Sequence, residues 1–203
     1  MNSNFRNTLL DEAHTLFVNN GISQYSTEEL MDALDISPST FRELFRDKDD
    51  LVLQVMHYDI ERQKQDHAKL FARVSHPVER LLGLLENAIQ NIRSMSPGYL
   101  PDLIHNYPAA WEVRQQHLQE YSMPQIQGLL NDGVMQKMLR GDININLVSK
   151  IIVELVGMVI NENTFPPARY DMAEVFRSVY LYYFRGLCTD EGMKSAAAYF
   201  ARM

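Results

Sequence analysis

The sequence is poor in the features that mark several classes of protein. Its 203 residues contain a single cysteine, Cys188, which excludes an internal disulfide. The longest apolar run, Ile151 to Ile160, is too short for a membrane span and is broken by Glu154. The N-terminus shows no cationic stretch followed by an apolar one. With 46% apolar residues, these absences predict a soluble, cytoplasmic, globular protein with no membrane partner.

Motifs for catalysis and cofactor binding are also missing. There is no glycine-rich phosphate loop and no nucleophile elbow. The six histidines include no pair at helical spacing with an intervening glutamate, as zinc hydrolases have. We therefore expect no catalytic residue, no metal and no cofactor. A helical enzyme that uses a polar and aromatic pocket is the less favoured alternative.

Positive charge is scarce in the first 60 residues. They carry four basic side chains and eleven acidic ones, a balance of −7 that equals the net charge of the whole chain. Nucleic-acid-binding segments ordinarily have the opposite sign. Any DNA-binding function placed in this segment must therefore rely on few phosphate contacts.

Helical periodicity dominates the chain, and strand-like alternation is nearly absent. The pattern predicts a long fourth helix from residue 48 to about 73 and a fifth that begins at Pro77. A longer helix is expected from about 109 to 139, with Pro124 as a candidate interruption, and a last helix from about 191 to 202. The fold class is therefore all-α.

Three helices are predicted before residue 47. The first, from about Phe5 to Asn19, follows from its apolar periodicity, and capping signals mark the other two, from about Thr27 to Leu34 and from Pro38 to about Phe45. The letters STEE at Ser26 form a capping box that starts the second helix. Ser37 and Pro38 suit the cap and first turn of the third. Gly21 follows the first helix at a position that suits a left-handed cap.

These residues resemble the helix-turn-helix head of the TetR family of bacterial transcriptional regulators. The resemblance covers about Thr8 to Leu53 and rests on nine positions: Gly21, Thr27, Ser37, Thr40, Phe41, Phe45, Lys48, Asp49 and Leu51. It implies a helix-turn-helix DNA-binding domain at residues 1–47. A larger helical ligand-binding and dimerisation domain, residues 48–203, would follow through the long fourth helix.

The resemblance implies a homodimer that binds double-stranded operator DNA, with the third helix of each head in a major groove. The residues expected to contact DNA are Thr27, Ser37, Ser39, Thr40, Arg42, Glu43, Arg46 and Lys48. Glu43 can accept a hydrogen bond from a cytosine amino group but cannot bind phosphate. Binding is therefore expected to be weak or strongly dependent on sequence. The alternative is a head that has lost DNA binding and serves as a protein-interaction or sensor module.

The larger domain is expected to bind a small apolar or aromatic effector that releases or shifts the DNA-bound protein, as a repressor of this type would require. The candidate ligand residues are Tyr99, Tyr107, Trp111, His117, Tyr121 and Met158, because apolar walls with a few polar groups suit such a molecule. Burial within an ordinary core is the competing interpretation for each of them. Two late apolar helices supply the expected dimer interface: Leu147, Ile151, Leu155, Val175, Val179 and Tyr183.

Overall fold

A computed structural model describes residues 3–202 of the chain. Its regular elements are twelve α-helices and one short π-helical segment, and no β-strand occurs within those residues, which confirms the all-α prediction. The helices are α1 (Ser3–Asn20), α2 (Thr27–Ala33), α3 (Pro38–Leu44), α4 (Lys48–Arg73), α5 (Pro77–Arg93), α6 (Tyr99–Asn106), α7 (Pro108–His117), α8 (Met123–Met135), α9 (Ile145–Val159), α10 (Met172–Leu187), α11 (Asp190–Ser195) and α12 (Ala197–Arg202).

The chain forms two compact units. The first contains the described residues up to Gln65 together with Ser94–His117, and the second contains Asp66–Arg93 together with the described residues from Leu118 onward. The sequence predicts a boundary between residues 47 and 48 that separates a DNA-binding domain from a ligand-binding and dimerisation domain. This functional boundary stays a prediction.

The core of the first unit is built from the apolar faces of the head helices. Leu9, Ala13 and Phe17 of α1 are buried, as their spacing of about four residues predicts. Phe41 of α3 is buried too. Phe5, on the same predicted face of α1, is 41% exposed near the beginning of the helix. In the second unit α5, α8, α9 and α10 contact one another and enclose a separate core.

Two later helices predicted from periodicity differ from the structure in detail. The helix expected from 109 to 139 runs without a gap through α7, a π-helical segment (Leu118–Ser122) and α8, and it ends at Met135. Pro124 lies two residues after the π-helical segment and lacks the amide that would bond one turn back, so it disturbs the α-helical pattern there. The last predicted helix divides at Ala196, the C-terminal cap of α11, into α11 and α12.

Candidate nucleic-acid interface and apolar cavity

The helix-turn-helix is held by the caps that the sequence predicts. Ser26 Oγ accepts from the Glu29 amide at 3.2 Å, and the Glu29 carboxylate accepts from the Ser26 amide at 2.7 Å. Asp35 adopts a φ of +49° in the turn, a conformation that aspartate tolerates better than most residues do. Ser37 Oγ then caps α3 by accepting from the Thr40 amide at 3.1 Å. Local sequence thus fixes where α2 ends and where α3 begins.

One face of α3 is buried and the other is free. Phe41 and Phe45 are buried with their ring centroids 5.3 Å apart, and they anchor the helix to the core of the first unit. The opposite side presents three exposed residues at helical spacing, Ser39, Arg42 and Glu43, and Arg46 is exposed just beyond the end of the helix. We call these four residues the α3 stripe. All four were predicted from the sequence as DNA contacts, and the structure brings them together on one surface.

The residues of the α3 stripe differ in their partners. Arg46 lies 3.5 Å from the carboxylate of Asp50, although 79% of the Arg46 side chain is exposed. Within residues 3–202, neither the Arg42 nor the Glu43 side chain has a hydrogen bond or ion pair. Arg42 and Glu43 are therefore the two charged groups of the stripe that are free to meet a ligand.

The predicted hydroxyl contacts lie at the beginnings of α2 and α3. Ser37 Oγ is 2.7 Å from Ser39 Oγ and 2.9 Å from Thr40 Oγ1, so the three hydroxyls form one cluster. Thr27 is half-buried at the first position of α2.

Lys48, the remaining predicted DNA contact, is half-buried, and its ammonium group already has partners within the first unit. Its Nζ donates to the carbonyl oxygen of Tyr25 at 2.5 Å and lies 5.7 Å from the centre of the Tyr107 ring. Burial lowers the pKa of Lys48, while the carboxylates of Asp102, Asp49 and Glu29 act in the opposite direction. Lys48 from the predicted DNA set and Tyr107 from the predicted ligand set are thus neighbours.

The predicted ligand residues do not form one cluster. Tyr99 and Tyr107 are buried in the first unit, where Trp111 is half-buried. His117, also buried there, has its Nε2 2.8 Å from Gln63 Oε1. In the second unit Tyr121 stacks on His67 with ring centroids 5.9 Å apart, and Met158 is 40% exposed. Their role in ligand binding stays a prediction.

An apolar cavity of about 110 Å³ lies within the second unit. Its described walls carry no charged side chain and come from α5, the π-helical segment, α8, α9 and α10: Leu81, Leu84, Leu85, Ala88, Leu118, Ser122, Ile126, Ile152, Val153, Val156, Phe176, Tyr180 and Phe184. None of the six predicted ligand residues is among them. Periodicity marks these positions as apolar faces, but it cannot distinguish a filled core from a cavity.

The polar groups of the cavity wall are Ser122 and Tyr180. The Tyr180 hydroxyl donates to the Ile152 carbonyl at 2.6 Å, so it is satisfied within the wall. Burial strongly raises the pKa of Tyr180, and the phenol therefore stays neutral. The cavity accordingly suits a neutral apolar molecule.

The predicted dimer residues leave apolar surface uncovered within one protomer. Leu147 is 56% exposed, while Ile151, Leu155, Val175, Val179 and Tyr183 are half-buried. Tyr182 on α10 is 66% exposed and extends this apolar surface. Their part in an interface between protomers stays a prediction.

A polar cluster that the sequence did not reveal lies between α1 and α4. Asp59 is 3.2 Å from His14 Nε2 and 2.9 Å from Arg62 Nη2. Burial opposes ionisation of Asp59, but the hydrogen bond with His14 and the charges of Arg62 and Arg114 hold the pKa of this carboxyl below its ordinary value.

No group of three or more potential metal ligands occurs in the described part of the chain. No described helix is long and apolar enough to cross a membrane.

These features define a class of fold: an all-helical protein with an N-terminal helix-turn-helix. Residues 9–55 match the family model for bacterial regulatory proteins of the tetR family. The match covers the helix-turn-helix head and shows that this part of the chain is similar to that family. A comparison with curated protein sequences finds no match.

Solved structures of similar fold cover nearly all of the chain. The regulatory protein TetR from Rhodobacter sphaeroides is 15% identical with a TM-score of 0.67, covering 89% of this chain and 97% of its own. A putative transcriptional regulator from Saccharomonospora viridis in complex with choline is 14% identical with a TM-score of 0.72, covering 93% and 100%. The fatty acid degradation regulator FadR from Bacillus halodurans is 14% identical with a TM-score of 0.67, covering 92% and 98%. At such identities the likeness shows the fold alone. Each of these three proteins is named as a regulator.

Proposed function

We propose that this protein is a dimeric, ligand-responsive regulator whose α3 stripe reads operator DNA in the major groove. The observation that carries the proposal is the stripe itself, in which Arg42 and Glu43 are exposed and unpaired on the side of α3 opposite the buried Phe41 and Phe45. Arginine can bond to guanine, and glutamate can accept from the cytosine amino group. The stripe therefore offers both a donor and an acceptor to base edges.

The charge of the head sets the character of this binding. Arg6 donates to Gln54, Arg46 is paired with Asp50 and Lys48 is occupied by Tyr25. Few cations remain for phosphates, and affinity for nonspecific DNA rises with the number of phosphates neutralised. We therefore expect weak nonspecific binding and a specific complex that depends on base contacts and on two heads acting together.

The apolar cavity of the second unit is the proposed effector site. A cation or anion bound there would have no countercharge among the described wall residues, and burying an unpaired charge is costly. A cavity of about 150 Å³ holds benzene in another protein, so a volume of about 110 Å³ suits a compact apolar group. The proposed effector is a small neutral apolar molecule, or a larger one that inserts an apolar end.

The proposed mechanism is a population shift. An effector that binds better to one arrangement of the two heads lowers or raises operator affinity by that difference in affinity and by no more. Helix α4 is the proposed lever, because it begins four residues after α3 and continues into the second unit. The uncovered apolar faces of α9 and α10 would join the two protomers.

The first experiment is a binding selection against fragments of the source genome at low salt. The wild type, Arg42→Ala and a matched control, Arg169→Ala, are compared, because Arg169 is exposed and lies outside the head. We expect fragments retained by the wild type and the control but lost by Arg42→Ala. Retention of no fragment by the wild type, or equal retention by Arg42→Ala, would contradict the proposal.

The effector site is tested with benzene as the probe. Binding to the folded state raises the unfolding temperature, so saturating benzene should stabilise the wild type. Ala88→Leu adds bulk to the cavity wall and should abolish the shift, whereas Ala168→Leu at an exposed position should retain it. An equal shift in all three proteins would place the benzene elsewhere and refute the assignment of this cavity.

A further inference from the structure

The loop between α1 and α2 is held at two points to residues that follow it by more than 20 positions. We call this arrangement the loop clamp, formed by Ser23 and Tyr25 of the loop, Lys48 at the beginning of α4, Asp102 of α6 and Tyr107 between α6 and α7. All five residues belong to the first unit. The loop leads directly into the Ser26 cap of α2, so its position sets where the helix-turn-helix starts.

Asp102 forms the first half of the loop clamp. Its carboxylate accepts from the Ser23 amide at 2.8 Å and from the Ser23 hydroxyl at 2.5 Å. Asn106 donates to both of these side chains at 3.3 Å. Gly21 precedes the loop with a φ of +92°, and a Cβ there would stand 3.4 Å from the Asp102 carboxylate. The loop therefore approaches α6 closely at this end.

Lys48 forms the second half. Its ammonium donates to the Tyr25 carbonyl and lies over the Tyr107 ring, so one charge joins the loop to the residue that ends α6. Both contacts are favourable for a cation, the first as a charge-assisted hydrogen bond and the second through the negative face of the ring.

The same surroundings oppose a phosphate at Lys48. The side chain is half-buried, and the carboxylates of Asp102, Asp49 and Glu29 act on its charge. A phosphate that reached Nζ would approach these three carboxylates and would share the ammonium with the Tyr25 carbonyl, which takes one of its three N–H groups. Arg42, which is exposed and unpaired among the described residues, meets neither obstacle.

We propose that Lys48 is a positioning residue for DNA binding and not a phosphate contact: through Tyr25 and Tyr107 it fixes the entry into α2 and thereby the placement of α3. This inference rests on the proposed DNA-binding function. It contradicts the role that the sequence resemblance implies for this lysine.

The deciding measurement is the salt dependence of binding to a DNA fragment retained in the genomic selection. Each phosphate contact contributes about 0.9 to the slope of log K against log salt concentration. We expect Lys48→Met to lower the affinity by about tenfold, as the loss of one hydrogen bond to a charged group would, and to leave the slope unchanged. Lys69→Met, on the exposed part of the same helix, is the matched control and should change neither quantity.

Two results would overturn the proposal. A slope reduced by about 0.9 for each protomer in Lys48→Met would show that the lysine neutralises a phosphate. An unchanged affinity together with a lower unfolding temperature would show a purely structural role. The affinity and its salt dependence are measured at a temperature at which circular dichroism shows the variant to be folded.

A second measurement needs no DNA. Amide hydrogen exchange over residues 22–26 should accelerate in Lys48→Met and in Tyr107→Leu, while Tyr107→Phe, which keeps the ring, should retain the protection of the wild type. Unchanged exchange in Lys48→Met would refute the loop clamp even if DNA binding were established. If the wild type bound no DNA but Lys48→Met lost loop protection, the proposed function and the role of Lys48 in it would fail, whereas the loop clamp itself would stand.

Discussion

The hydroxyl of Tyr180 on α10 donates a hydrogen bond to the backbone carbonyl of Ile152 on α9, with an oxygen–oxygen distance of 2.6 Å. Both residues are buried and both line the apolar cavity. A helical carbonyl can accept a second bond because it has two lone pairs. The contact therefore satisfies the buried phenol and fixes two helices of the cavity wall against each other.

Tyr180→Phe removes this bond and keeps the ring. We expect the free energy of unfolding to fall by about 1 kcal/mol, the typical net contribution of one hydrogen bond. Urea denaturation measures it, with Tyr182→Phe as the matched control, because Tyr182 lies on the same helix and is 66% exposed. Equal losses in the two variants would show that the contact with Ile152 contributes nothing specific.

Gly192 of α11 tolerates no side chain. A Cβ at this position would overlap the carbonyl oxygen of Met138, which also accepts from the Thr189 amide. We expect Gly192→Ala to lower the stability by about 3 kcal/mol, the upper range for overpacking. Gly128→Ala, on an open face of α8, should instead stabilise by about 0.5–1 kcal/mol. Thermal unfolding of both variants checks the opposite signs.

Asp59 should stabilise the first unit at neutral pH. Because the folded state lowers the pKa of this carboxyl, its contribution is present above the ordinary pKa of an aspartate and disappears as the pH falls through the lower folded value. We expect Asp59→Asn to cost about 2 kcal/mol near neutrality and the difference to shrink below about pH 4. The comparison is Asp66→Asn, which breaks an exposed pair with Lys69 and should change stability by less than about 0.5 kcal/mol. A pH-independent difference for Asp59→Asn would contradict this account.

The protein should lose stability in alkaline solution. Burial raises the pKa of Cys188 to about 11, and burial together with Asp49 and Asp102 raises that of Tyr107 to about 12. A group whose pKa is raised on folding stabilises the protein below its unfolded pKa and ceases to do so as the pH rises towards the folded value. The decline should begin near pH 9–10, where unfolded cysteine and tyrosine ionise.

Urea midpoints at increasing pH measure this decline. Tyr107→Phe removes one of the responsible groups and should flatten the curve between about pH 10 and 12. A curve identical to that of the wild type would exclude Tyr107 as a contributor.

The proposed dimer predicts that a charge on the outer face of α9 separates the protomers. Leu147→Glu places a carboxylate at a position that is 56% exposed within one protomer, so folding should be unaffected while an interface would bury the charge without a partner. Sedimentation should show a dimer for the wild type and a monomer for the variant. Met135→Glu is the control, because Met135 is more exposed, at 74%, and lies outside the predicted interface. A wild type that sediments as a monomer would refute the dimer.

Much of the head could be predicted from the sequence because its signals are local. The capping box at Ser26, the cap at Ser37, the positive φ of Asp35 and the burial of Phe41 each depend on residues within one or two turns. The exposure of Ser39, Arg42 and Glu43 on α3 follows from the same period of 3.6 residues. Pro124 indicated a disturbance of the long helix but not its form, since a π-helical segment depends on how the neighbouring helices accommodate it.

The sites proved harder to predict because they depend on residues far apart in sequence. The candidate ligand residues share polar or aromatic chemistry, but the structure distributes them over two units. The cavity is instead lined mostly by apolar side chains. Lys48 carries a family-like pattern, yet its surroundings are made by Tyr25 and Tyr107, which lie 23 residues before it and 59 after it.

The sequence by itself determined the helical class, the helix boundaries of the head and the acidic charge that limits phosphate contacts, because propensity, capping and composition act locally. Tertiary structure alone decided which side chains are free and which are occupied. Arg42 and Lys48 are six residues apart and both are cations. Packing alone leaves Arg42 in solvent and holds Lys48 against the Tyr25 carbonyl and the Tyr107 ring.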